Sequence, residues 1–146
     1  MIKIILFLIL LALLHALWEI QIEGKDGWAK KLPCWRINVF FRKLFGGKPM
    51  TGYHFYMFSI WILAFHVPYI LLPYSYGLEC YIWSALLFYF PVEDFLWFVC
   101  NKHYGIKKFK QGKVEWHKKW LLGLPKAYWI CWSLSIILYL LPKAIQ

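Results

Sequence analysis

Four apolar windows, each near the length that crosses a bilayer, leave this chain few folds to choose from: residues 4–20, 53–73, 78–100 and 121–141. A hydrocarbon core about 30 Å thick is spanned by about 20 helical residues. With 62% hydrophobic and 22% aromatic residues in a chain of 146, there is more apolar surface than a soluble domain of this size can hide. The expected fold class is therefore all-α and integral to a membrane, a single domain over residues 1–146 built as a four-transmembrane-helix bundle. No small-x-small cleavage site follows the first window, and Glu19 and Glu23 continue the same helix, so this segment reads as a retained span rather than a signal peptide.

Lysine and arginine set the expected orientation. Residues 21–50 carry seven of them and residues 101–120 another seven, whereas the link between the second and third spans has none. The positive-inside rule puts both basic loops in the cytoplasm and both termini on the opposite side. The net charge of +10 is then mostly juxtamembrane and suits anionic lipid headgroups. Nucleic acid is not expected as a partner, because the basic residues lie close to the spans and alternate with Trp and Phe.

Within the first loop, Pro33 can open a helix and Gly46-Gly47 can close it. Over about residues 33–45, Ile37, Phe40, Phe41, Leu44 and Phe45 fall on one arc opposite Arg36, Arg42 and Lys43, the pattern of an amphipathic interfacial helix. Trp116 and Trp120 repeat the pattern more weakly in the third loop, giving one or two such helices. Trp18, Trp28, Trp35, Tyr53, Trp97, Tyr104 and Trp116 read as an aromatic belt at the inner boundary. The four cysteines lack CxxC spacing and read as packing residues. Bulky spans with few small residues favour a lipid-filled cleft over tight helix pairs, and a homo-oligomer is compatible with this.

The ionisable residues are unevenly placed. His15, Glu19, Glu23, His54, Glu93, Asp94, His103 and His117 lie at or near the inner ends of the spans, while Glu79 and His66 lie toward the other side. Charge at membrane depth is costly, so the gathering marks a candidate site. Pro91 inside the third window removes the hydrogen bond to the Leu87 carbonyl, which predicts a kink one turn before two adjacent carboxyl groups. Glu93 and Asp94 point about 100° apart. In a dry pocket their repulsion would keep at least one protonated near pH 7, able to donate a proton. The competing reading pairs them with Lys or Arg as helix anchors.

The stretch Pro91-Val92-Glu93-Asp94 resembles the Pro-x-Glu-(Glu/Asp) motif of the small membrane-integral lycopene cyclases, and the likeness is confined to residues 91–99. That resemblance implies a helical membrane enzyme that cyclises a carotenoid end by protonation, with Glu93 and Asp94 as the proton donor pair.

His15, Glu19 and Glu23 fall four residues apart on one stripe of the first span. A histidine and carboxylates in this arrangement can share a divalent metal, with His54 and Glu93 or Asp94 completing the set. The alternative pairs Glu19 and Glu23 with Lys25, Lys30 or Arg36. His66 is expected to hydrogen-bond the Ala64 carbonyl that Pro68 frees, and His103 and His117 are expected to be solvated. Thr51 is expected to cap the second span near His54, and Gly105 to end the third.

The function expected from these residues is a membrane-embedded enzyme acting on an apolar lipid or isoprenoid at the cytoplasmic leaflet, with Glu93, Asp94 and His54 catalytic and Glu19 assisting. Its rivals are a divalent-metal-binding protein or metalloenzyme, a proton- or cation-conducting protein, and an accessory subunit.

Overall fold

The computed structural model describes residues 2–40, 42 and 46–145. Four helices carry the chain: α1 (Ile2–Glu23), α2 (Gly52–Phe65), α3 (Tyr76–Cys100) and α4 (Lys126–Ile145). Of these, α1, α3 and α4 are long and apolar enough to cross a membrane, and their outer faces expose large apolar side chains such as Leu6, Phe7, Ile136 and Ile137. That surface is consistent with an integral membrane protein.

The second window divides. α2 has 14 residues and stops at His66, and the chain continues as a 3₁₀ turn over Val67–Ile70. Pro68 has no N–H to give and disfavours α geometry at Val67, so the α-helix closes there. The His66 Nδ1 lies 2.6 Å from the Ile62 carbonyl, one turn back, instead of reaching Ala64. Its Nε2 faces Glu79 at 3.5 Å.

α3 is the central post, with α1 and α4 packed along it. It runs unbroken through Pro91 from a Ser75 cap to Asn101. Ser84 and Ser135 donate to each other's backbone carbonyl, at 2.8 and 2.7 Å, and clasp α3 to α4. Satisfied hydroxyls of this kind hold helices together where water is absent.

The third helix ends five residues before Gly105, because Asn101 closes it. Its buried side chain accepts the N–H groups of His103 and Tyr104, both at 3.0 Å, and donates to the Gly24 carbonyl at 2.7 Å. One amide therefore caps α3 and ties it to the end of α1.

The two basic loops fold inward, contrary to the expected interfacial helices. Residues 33–45 are not a continuous helix: Arg36–Ile37 forms a strand, β1, paired antiparallel with β2 (Met50–Thr51), while Phe41, Lys43, Leu44 and Phe45 lie outside the described residues. Arg36 turns back into its own loop, donating to the carbonyls of Cys34 at 2.9 Å and Ala29 at 2.5 Å. The left-handed glycines Gly46 and Gly47 return the chain toward β2. In the third loop Trp116 is buried rather than interfacial, packed with Ala16, Ile20, Trp97, Phe98 and Val114. A second short ladder, β3 (Trp120–Leu121) with β4 (Leu124–Pro125), leads into α4. Trp97 and Trp116 are thus core, not belt.

Asn101→Ala leaves the Gly24 carbonyl and two N–H groups without this partner, so we expect a loss of about 1–3 kcal/mol. It would be read as a lower thermal midpoint by circular dichroism in detergent. The two loops are also joined by ion pairs of Glu115 with Lys48 and, at 3.9 Å, Lys30. The Lys48 ammonium holds the Glu115 carboxyl below the usual carboxylate range. A depressed folded value means that the contribution is present above the unfolded value of about 4.3 and is lost as pH falls through the lower folded one. Because Glu115 is half-exposed, the effect is local and screened. Amide protection of residues 113–117 should fall at acid pH in the wild type, and Glu115→Gln should remove that step.

Candidate functional site

At the basic-loop end, the last turn of α1, the first turn of α2, the second half of α3 and the start of α4 surround a cavity of about 310 Å³. Its polar wall is Glu19, Glu23, His54, Glu93, Asp94 and His117; its apolar wall includes Met57, Phe58, Phe90 and Ile130. The expected convergence of acids and histidine from three helices is therefore present, and each side chain has a distinct setting.

Glu19 and Glu23 are one turn apart on α1 and both point inward. Their carboxylate oxygens and a His54 ring nitrogen all lie within 4.8 Å of one another, an arrangement able to hold a metal ion. His54 is placed by Thr51, whose hydroxyl oxygen accepts the His54 backbone N–H at 3.2 Å and lies 2.7 Å from Nδ1. The cap expected at Thr51 thus also fixes the ring. His54 Nε2 then faces Glu23 at 3.7 Å.

The first loop covers this group. Ala29 donates its N–H to the Glu23 carboxylate, and the Trp28 indole stacks on His54 with ring centres 4.3 Å apart. Trp28 and Ala29 both have left-handed backbone, φ 52° and 49°, a conformation that costs a non-glycine residue about 1–3 kcal/mol. The hydrogen bond to Glu23 and the Arg36 contact to the Ala29 carbonyl hold it. Beside them Gly27 is required by two constraints. Its φ is 64°, and a Cβ there would come 2.6 Å from the Trp116 ring.

None of the alternative ion pairs forms. Arg36 is spent on loop carbonyls and Lys30 reaches Glu115. Among the described residues, Glu19, Glu23 and Glu93 have no Lys or Arg partner within salt-bridge distance.

His15 is set apart from this group. The Trp61 indole N–H donates to its Nε2 at 3.0 Å, and the Tyr89 hydroxyl lies 2.9 Å from Nδ1. The ring proton is therefore on Nδ1, and neither nitrogen has a lone pair to offer a metal. Each four-residue step on α1 rises about 6 Å, so His15 meets a different layer of neighbours from Glu19 and Glu23.

The adjacent acids of α3 divide as their 100° separation requires. Asp94 accepts from Trp116 Nε1 at 3.2 Å, meets His117 Nε2 at 2.7 Å and accepts the Tyr128 hydroxyl. It docks the third loop and the start of α4, and His117 is drawn out of solvent to do so. His103 is exposed, as expected. Glu93 is 4% exposed, its carboxyl group within reach of Glu19, and its Oε1 is buried with no hydrogen-bond partner. His15 Nδ1, already turned to Tyr89, is 3.9 Å from that oxygen, beyond hydrogen-bond distance.

Sequence reasoning missed Trp61, Tyr89, Tyr128 and Asn101. Tyr89 sits one turn before Glu93 on the same stripe and was findable by spacing. Trp61 and Tyr128 act across elements far apart in the chain and leave no local signature, whereas Asn101 caps α3 through N–H groups two and three residues ahead of it.

Asp94→Asn weakens charge-assisted bonds worth about 1.5–3 kcal/mol, so local opening of the third loop should rise about tenfold or more. Faster tryptic cleavage after Lys113 and Lys118 would report it, with helix content unchanged. No protein-family model, curated protein or solved structure matches this chain.

Proposed function

We propose that the protein is a membrane-embedded enzyme that moves a proton on or off an apolar lipid or isoprenoid chain, with Glu93 as the proton-carrying group. One observation carries this reading. A buried carboxyl with a free oxygen stands at the junction between the polar and aromatic walls of one cavity. A hydrocarbon chain lying along Met57, Phe58, Phe90 and Ile130 would present its carbon atoms to Glu93 without entering water.

The step balances with no co-reactant. The Glu93 carboxyl gives its proton to one carbon of a double bond, leaving a carbocation and a carboxylate; the same carboxylate then takes a proton from a neighbouring carbon and leaves an isomerised chain, or, where the π pair of a second double bond has first attacked the carbocation to form a new C–C bond, a ring-closed product. Aromatic faces around the cavity, Trp28, Trp97 and Trp116 among them, would stabilise the positive charge. Glu19 shares the Glu93 proton, and Asp94 is a positioning residue that keeps the third loop seated. This chemistry agrees with the cyclase-like Pro91-Val92-Glu93-Asp94 motif. The basic loops, on the cytoplasmic side in this reading, would meet anionic headgroups.

Purified protein in lipid nanodiscs, incubated in D₂O with membrane-lipid and polyisoprenoid extracts, should place deuterium on carbon in one lipid class, read by mass spectrometry. General acid–base catalysis contributes about 10²–10⁴-fold, and Glu93→Gln should lose a factor of that size. Equal labelling by wild type and Glu93→Gln, or none by either, would overturn the reading.

A further inference from the structure

We infer that Glu19, Glu23 and His54 bind a divalent first-row metal ion, with Glu93 beside it as partner of a metal-bound water. The ligand atoms of the first three residues lie within 4.8 Å of one another. Two ligands on one ion with bonds of about 2.0–2.2 Å are about 3–3.5 Å apart, and the 3.7 Å between His54 Nε2 and Glu23 Oε1 is close to that spacing. It is too long for a hydrogen bond.

Three further features point to a cation. Glu93 Oε1 is buried, lines the same cavity and has no partner, and a buried acceptor without a donor asks for a proton, a water or an ion. Glu23 closes the last turn of α1 and Glu19 lies one turn before it, so Glu23 stands where the helix dipole already concentrates negative charge and favours a cation. Thr51 supplies the outer support that metal-binding histidines need. The Thr51 hydroxyl lies 2.7 Å from Nδ1, and in the tautomer with the proton on Nδ1 the Nε2 lone pair is directed at the two carboxylates. Glu19 can then give one oxygen to the ion and the other to the Glu93 proton, which joins the ion to the proposed acid without replacing it.

One imidazole with two carboxylates suits Mn²⁺, Fe²⁺ or Zn²⁺ and leaves coordination positions open to water or substrate. Metal occupancy is read without turnover, so an empty site and a missing lipid chemistry are separate outcomes.

The experiment is elemental analysis of untagged protein in detergent, stripped with chelator and reloaded in turn with Mn²⁺, anaerobic Fe²⁺ and Zn²⁺. We expect about one ion per chain for at least one of them, and Co²⁺ loading should give a visible ligand-field band. Glu23→Gln and His54→Gln should each lose the ion and the band, while Glu79→Gln at the far end of α3 keeps both. Thr51→Val should weaken binding about 10–100-fold, and Thr51→Ser should restore it. Circular dichroism and monodisperse elution identify the folded variants. If folded wild type takes up none of the three ions, or if folded Glu23→Gln and His54→Gln hold as much as wild type, the site is refuted.

Discussion

Buried carboxyl groups with no lysine or arginine partner among the described residues are the constraint on which the basic-loop end of this protein depends. Glu19, Glu23 and Glu93 come together from α1 and α3 in apolar surroundings, where an uncompensated carboxylate costs several kcal/mol. The protein answers partly with geometry. Ala29 gives its N–H to Glu23 and Trp28 lies over His54. The remaining demand falls on protons or an ion.

The same demand explains why the loops do not lie flat on the membrane. Trp116, Trp97 and Phe98 form an aromatic core beneath the acids, and Asp94 holds that core to the third loop and α4 through Trp116, His117 and Tyr128. Fourteen lysines and arginines in the two loops would by themselves favour the headgroup layer. Burying a tryptophan and satisfying an aspartate outweighs that pull for the residues involved, and leaves most of the lysines outside.

Much of the helical architecture was legible in the chain because hydropathy over long windows reports it directly. Three windows became helices of spanning length, and Thr51 became a cap because a threonine before an apolar run has a local reason to do so. The second window divides at Pro68, where a 14-residue α-helix gives way to a 3₁₀ turn. The amphipathic arc over 33–45 failed for a different reason: Arg36 finds carbonyls within its own loop, and Met50–Thr51 offers a strand partner. Neither competitor is apparent from helical periodicity. Clustering of Glu19, Glu23, His54 and Glu93 at one depth was legible. The removal of His15 to Trp61 and Tyr89, 46 and 74 residues away, and of Asp94 to Trp116 and His117 of the loop, 22 and 23 residues away, was not.

α2 differs from its neighbours in how it is held. Two serines clasp α4 to α3, and α1 lies along α3, but α2 is fastened chiefly at its start through β2 and at Trp61 through His15. Met57 and Phe58, between those two fastenings, form one side of the cavity. A small tilt of this single rod would therefore alter the width of the cavity while leaving the contacts among α1, α3 and α4 in place.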